Sequence, residues 1–271
     1  MTEIELKKKL DELEAAQKAL SEKQEKLDLM AKRIQAVNAV HNLISSYVQY
    51  HSGSKQQESY DLFVKHTPGA LICIDGWGAF LEPEGIKRFF LGWLQNSEAD
   101  LTNRLYRHDI SSPVIEISGD CKTALAIFGS LGLETMPNVD ALKGVGKYNE
   151  DAEKWHNAME SIWCLGTYEA AFIVEDGEWK IWKLMFRDIF MTPFDSRGWT
   201  DVPIHPAYLP NTDIYDDVNP LEGSDMGPDI LTRDKHFRPF NKVGTPSNVH
   251  DCIPRPPKPF DTWNDNLFTI L

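Results

Sequence analysis

Four strand-like runs between residues 104 and 191 constrain the fold of this chain more than any other feature. The turn sequence SGDCK follows the first run, and VEDGEW joins the last two. EDGEW is a strong hairpin signal, because acidic residues and glycine favour the tight turns between antiparallel strands. We predict strands at about 104–118, 122–134, 160–174 and 178–191. Helical sequence precedes them, and this order predicts a curved antiparallel sheet around a cone-shaped pocket.

The N-terminal 50 residues read as one long helix with a heptad repeat. Residues 3–50 contain no glycine or proline, and a large aliphatic residue recurs every seven positions from Leu6 to Ile34. A thinner second stripe consists of Leu10, Gln17, Gln24 and Ala31. The helix either packs on its own domain as an exposed arm or forms a coiled coil with another subunit. We favour the second, because so charged a helix gains little stability alone.

The rest of the chain divides into a globular part and a tail. We expect an N-terminal arm over residues 1–35, a domain over 36–195 and an extended tail over 196–271. Within the domain we predict helices at about 36–51, 54–65 and 84–96, and a partly helical insertion at 137–157 over the pocket mouth. The tail holds most of the 16 prolines, which is typical of disorder. Its many aromatic residues instead favour an ordered tail along this domain or a neighbouring subunit.

Charge and cysteine usage exclude several classes of protein. The net charge of −13 disfavours nucleic acids and anionic membrane surfaces, both of which attract basic proteins. No apolar run has the length of a membrane helix, and the charged N-terminus lacks the apolar core of a signal peptide. The four cysteines are scattered, without a CxxC pair, so we expect no disulfides and a cytoplasmic location.

The sequence contains no motif for a metal or a cofactor. The eight histidines show no HxH or HExxH spacing, so no metal site is expected. There is no GxGxxG, no phosphate-binding loop and no GxSxG motif. We therefore expect a site that works with side chains alone, without a cofactor.

Several segments together resemble the SnoaL-like branch of the nuclear transport factor 2-like superfamily, over about residues 36–195. They are VNAVHNLISSYVQY, YDLFVKHTPGALICIDGWG, GIKRFF, HDISSPVIEISGDCKTALA and YEAAFIVEDGEWKIWKL. The resemblance departs at Ser52, where the family has an aspartate, and it excludes the insertion and the tail. It implies an α+β cone, in which a strongly bent antiparallel sheet packs on three helices around a pocket.

The resemblance leaves two classes of function open, since members include dehydratases, isomerases, cyclases and non-catalytic dioxygenase subunits. The first is a cofactor-independent, dehydratase-like lyase or isomerase. It would act by histidine-mediated proton transfer on a small hydrophobic cyclic or aromatic carbonyl or hydroxyl compound. The second is a non-catalytic ligand-binding or assembly subunit. Under either we expect a homo-oligomer held by the N-terminal helix and the tail.

His108 is the main candidate for an acid–base group, because it is the histidine best placed on a predicted inner strand. Tyr47 and Tyr50 share a helix face, and either hydroxyl could hold a substrate oxygen. Asp75 ends a buried strand and could orient His108 or act as the base; a turn residue is the alternative.

The remaining candidates would bind the substrate. Arg187 lies in an apolar strand, where it would bind a substrate carboxylate or form an ion pair. Aromatic residues are expected as pocket lining or ordinary core: Trp77, Tyr106, Phe128 and Trp163.

Overall fold

The computed structural model describes residues 2–74, 78–94, 105–137, 152–194 and 254–268. Its first element is a single helix, α1 (Glu3–Ser52), which starts at a capping box. The Thr2 hydroxyl accepts from the Glu5 backbone N–H, and the Glu5 carboxylate accepts from the Thr2 backbone N–H. The helix ends at Gly53, the first glycine in the chain. The predicted long helix is therefore confirmed.

The two parts of α1 differ in burial. Every residue from 2 to 32 is exposed. Further on, side chains at three- and four-residue spacing enter the core: Ala36, Val40, Ile44, Tyr47 and Val48. This spacing is one apolar stripe of a helix lying on a sheet.

The six strands form one open, curved sheet of order β2-β1-β6-β5-β4-β3. The strands are β1 (Leu71–Ile74), β2 (Gly78–Leu81), β3 (Tyr106–Ile117), β4 (Thr123–Pro137), β5 (Met159–Glu175) and β6 (Glu178–Pro193). Register shifts in β3–β4 and β5–β6 mark irregularities of the bulge type, which bend a sheet. The predicted α+β class is confirmed.

Two details differ from the prediction. The pair β1–β6 is parallel, which the long connection between the two strands permits. The predicted helix at 84–96 is instead α3 (Glu82–Lys87) followed by a π-helix (Arg88–Leu94). The other short helices are α2 (Gln56–Asp61), shorter than predicted, and α4 (Ala152–Asn157), inside the predicted insertion.

A C-terminal segment, residues 254–268, packs against the sheet. The backbone N–H of Gly119 donates to the carbonyl of Phe260 at 2.9 Å. The Trp263 ring lies 4.9 Å from that of Trp182, and Phe268 is buried. This part of the tail is ordered on the chain's own domain, whereas residues 195–253 lie outside the described residues.

Three cysteines among the described residues are free thiols: Cys73, Cys121 and Cys164. No helix within the described part of the chain is both long and apolar enough to cross a membrane.

Candidate active site

His108, on β3, forms a buried pair with Glu134, on β4. The His108 Nε2 atom lies 2.7 Å from Glu134 Oε1, and the two side chains are 7% and 8% exposed. On the other side of the ring, His108 Nδ1 is buried and has no hydrogen-bond partner among the described residues. A carboxylate on one imidazole nitrogen and an unpartnered second nitrogen are the arrangement of a histidine base held by an acid.

Strand register brings this pair together. His108 is opposite Gly132 across the β3–β4 pair, and Glu134 is two residues further on the same face. A Cβ atom at Gly132 would lie 2.8 Å from His108 Nδ1 and 3.0 Å from the Arg107 carbonyl oxygen. Only glycine leaves room for the imidazole to lie over β4.

Sequence analysis did not identify Glu134, although β4 carries a signal for it. Around Glu134 the usual alternation of β4 is reversed, so that polar side chains are buried and apolar ones are exposed. Ser130 and Glu134 are buried, whereas Leu131 is 48% exposed and Leu133 is partly exposed. A strand with buried polar residues and exposed leucines has a polar inner face. Such a face is unusual in a protein core, because buried polar groups cost free energy unless they are hydrogen-bonded.

His51 and Tyr47 lie on α1, and His51 stacks between Tyr47 and His108. The rings of Tyr47 and His51 are stacked with centroids 5.6 Å apart, and those of His51 and His108 are also 5.6 Å apart. Burial, with the nearby charge of His108, lowers the pKa of His51 to about 4, against the opposing effect of Glu134. His51 is therefore neutral near pH 7. Sequence analysis did not single it out.

Tyr47 is the only predicted catalytic residue besides His108 whose side chain is described. Burial raises the pKa of its phenol, so the hydroxyl keeps its proton. Three further rings contact it edge-on, with centroids 5.9 to 6.3 Å away: Phe63, Phe90 and Tyr168. Tyr47 thus joins the site, through His51, to the aromatic core.

Glu134 is held as a carboxylate. Burial acts to raise the pKa of Glu134, but the charge and hydrogen bond of His108 outweigh it, with a smaller effect of Cys164. The resulting pKa is below the ordinary value. The thiol of Cys164, on β5, donates a hydrogen bond to Glu134. The ionised Glu134 carboxylate can accept a hydrogen bond from His108 Nε2–H, which orients the ring.

The same three side chains are a possible ligand set for a metal ion. One atom each from His108, Glu134 and Cys164 lies within 4.8 Å of the others, and all three residues are buried. Nitrogen, sulfur and carboxylate oxygen are the ligands that zinc takes in proteins. The 2.7 Å separation of His108 and Glu134 is that of a direct hydrogen bond. A metal ion would have to replace this hydrogen bond.

Three further residues near the site, or predicted to belong to it, are Ser52, Tyr50 and Tyr106. The Ser52 hydroxyl accepts from the His108 backbone N–H at 3.2 Å and so ties the helix end to β3. Tyr50, predicted as a substrate contact, is 38% exposed. Tyr106 is half-buried and pairs with Glu134 in the β3–β4 register, on the His108 face.

Two other predicted binding residues, Arg187 and Trp163, lie on the face of the sheet opposite the His108–Glu134 pair. Arg187 is fully buried 3.4 Å from Glu169, and strand alternation puts both on the sheet face opposite Tyr168. Trp163 is stacked on Phe194, also on the opposite face from His108. Phe128 is a buried core residue, and Asp75 and Trp77 lie outside the described residues.

Comparison with known proteins identifies the family of the domain. The sequence profile of the SnoaL-like domain matches residues 32–185. No curated protein sequence matches the chain. Similar solved structures include hexachlorocyclohexane dehydrochlorinase LinA-type3 from Novosphingobium barchaimii, with 18% identity and a TM-score of 0.45 over 61% of this chain and 94% of that one. Another is an NTF2-like protein with a cystatin-like fold from Novosphingobium aromaticivorans, with 13% identity and a TM-score of 0.40 over 60% and 84%.

Proposed function

Because the chain belongs to the SnoaL-like domain family, we propose that it is a cofactor-independent lyase or isomerase of the dehydratase type. In this proposal His108 carries a proton between two atoms of a small cyclic or aromatic carbonyl or hydroxyl compound. One observation supports it above the others: a buried His108–Glu134 pair whose second nitrogen, Nδ1, has no partner among the described residues.

The geometry supports the following steps. Glu134 accepts the Nε2–H of His108, which leaves a lone pair on Nδ1. Nδ1 removes a proton from the carbon next to a carbonyl, and the resulting imidazolium is stabilised by the Glu134 carboxylate. The electron pair of the broken C–H bond forms a C=C bond as the β-hydroxyl leaves, and the same nitrogen protonates that hydroxyl to give water. In an isomerisation, the proton would instead return to another carbon.

Tyr47 and His51 have supporting roles in this proposal. Since Tyr47 keeps its proton, its hydroxyl can only donate to an oxygen that gains negative charge. His51 is neutral near pH 7, so it adds no positive charge that would oppose protonation of His108. Its stacked ring instead holds the imidazole of His108 in place.

Proton exchange tests this proposal without knowledge of the natural substrate. A panel of cyclic ketones and β-hydroxy ketones is incubated with the protein in D2O, and NMR follows deuterium incorporation and water loss. For any compound turned over, His108→Gln should lower the rate about 10²–10⁴-fold, the usual span for a general base. Glu134→Gln should lower it on the order of 10²-fold, because the amide cannot stabilise the imidazolium. His41→Gln changes an exposed histidine of α1 and is the matched control.

The panel also distinguishes the second candidate function. Four aromatic rings, including His51, surround Tyr47 within 6.3 Å, and such packing favours a filled interior, which suits an assembly subunit. Full activity in His108→Gln would reject His108 as the base. Binding of panel compounds without exchange or water loss, in a folded wild-type protein, would favour the non-catalytic function.

A further inference from the structure

The exposed part of α1 has one apolar stripe that no described residue of the chain covers. Residues 2–32 are all exposed, and the aliphatic residues of the stripe are 51% to 67% exposed: Leu6, Leu10, Leu13, Leu20, Leu27 and Ile34. In a heptad lettered a to g, position d is occupied by Leu6, Leu13, Leu20, Leu27 and Ile34. Position a is occupied by Leu10, Gln17, Gln24 and Ala31. The helix is thus regular in sequence but lacks the tertiary packing that normally stabilises one.

We propose that this stripe binds the same stripe of a second copy of the chain, as a parallel, in-register coiled coil. The charged residues at positions e and g, on either side of the a/d stripe, favour this arrangement. In a parallel pair, each g residue faces the e residue five positions later in the partner. Lys9 then faces Glu14 and Lys23 faces Asp28, whereas the g–e pair between them, Ala16 and Ser21, is uncharged.

The antiparallel alternative is less well matched. With the stripes fully overlapped, e residues face e residues and g residues face g residues. Lys7 then faces Asp28, but Lys9 faces Met30 and Lys23 faces Ala16. The parallel arrangement therefore pairs twice as many opposite charges.

The charge of the arm also suits self-association. The chain carries a net charge of −13, which disfavours contact between most of its surfaces. Residues 2–32 contain seven lysines and eight acidic residues and are close to neutral. Two polar layers, Gln17 and Gln24, lie in the middle of the seam, where polar a residues fix the register and weaken the pair. We expect a dimer that dissociates on dilution.

Light scattering of the full chain tests the contact. The wild type should have the mass of a dimer at high concentration, and Leu13→Lys/Leu20→Lys should have the mass of a monomer with an unchanged sheet signal in circular dichroism. Leu29→Lys is the matched control, because Leu29 is also exposed but lies at position f, on the far side of the helix. A monomeric wild type would overturn the proposal, as would a double variant that keeps the wild-type mass.

Charge reversal tests the orientation and register. Lys9→Glu/Lys23→Glu would place like charges together in the parallel pair and should weaken dimerisation at least about tenfold. Adding Glu14→Lys/Asp28→Lys should restore it. In the antiparallel pair Lys9 and Lys23 face uncharged residues, so an unchanged dimer would overturn the parallel register.

Crosslinking gives a second measure of orientation. Leu6→Cys should form a disulfide-linked dimer on mild oxidation, because residue 6 of one chain meets residue 6 of the other only in the parallel pair. Glu22→Cys, at position f, should not crosslink. Crosslinking of a mixture of Leu6→Cys and Ala31→Cys chains, without crosslinking of either alone, would establish the antiparallel arrangement and overturn the proposal.

Discussion

At the scale of single residues, Gly132 controls the position of the His108 ring. The space that a Cβ atom would take at Gly132 lies 2.8 Å from His108 Nδ1, closer than real Cβ contacts occur. We predict that Gly132→Ala moves the imidazole away from β4 and lowers proton transfer about as much as loss of the base, on the order of 10²-fold or more.

Imidazole 15N shifts measure this prediction without a substrate. They should report His108 protonated at Nε2 in the wild type and altered in Gly132→Ala. Gly92→Ala is the control, since among the described residues a Cβ there meets only the Arg88 Cβ atom, at 4.0 Å. A Gly132→Ala protein with the wild-type shifts would show that the glycine has no such role.

Glu175 is a second residue whose ionisation has a measurable consequence. Burial acts to raise the pKa of Glu175, but hydrogen bonds from Thr67 and the backbone N–H groups of residues 65–67 lower it to about 2. A carboxyl whose folded pKa lies below its unfolded value of 4.5 stabilises the fold above pH 4.5. This stability is lost as the pH falls from about 5 to 2 and amounts to roughly 3 kcal/mol.

We therefore predict that Glu175→Gln lowers the free energy of unfolding at pH 7 and flattens its fall between about pH 5 and 2. Urea unfolding at a series of pH values, followed by tryptophan fluorescence, measures both effects. Asp176→Asn removes an adjacent but exposed carboxylate and should leave the pH profile close to wild type. A wild-type profile in Glu175→Gln would contradict the assignment.

At the scale of elements, the C-terminal segment contributes to the stability of the sheet it covers. Phe268 is 2% exposed, although it lies far from the sheet in sequence. We predict that Phe268→Ala lowers the free energy of unfolding by about 3–5 kcal/mol, as for other buried phenylalanines. Phe194→Ala removes the same side chain where it is 54% exposed and should cost much less. Similar losses in both variants would show that the segment does not pack as described.

At the scale of the whole molecule, α1 joins two regions of different stability. Its residues 2–32 are all exposed, whereas Val40 and Ile44 are fully buried. We predict that amides of residues 6–30 exchange hydrogen faster than those of residues 40–48 in dilute protein. The proposed coiled coil should slow the first set as protein concentration rises and leave the second set unchanged. Fast exchange at every concentration would argue against association of the arm.

The sequence alone determined the elements of this protein. Absence of glycine and proline before Gly53 predicted α1, and alternating runs with turn residues between them predicted the four long strands to within a few residues. Segment order and the family resemblance predicted the α+β fold. His108 was predicted on an inner strand; it lies instead on the edge strand β3, with its side chain buried. The helix and strand predictions relied on local periodicity and turn chemistry, which neighbouring residues determine.

Tertiary structure alone decided what surrounds His108. Glu134 and Cys164 reach it through the register of three strands, and His51 through the packing of α1, so the contacts join residues that are distant in sequence. A one-residue change of register would turn these side chains to the other face. The irregularity within β3–β4 and the long connection from β4 to β5 keep that register from being predicted from the local sequence. The parallel β1–β6 pair and the C-terminal segment have the same origin, because long-range packing selects among partners that the local sequence permits equally.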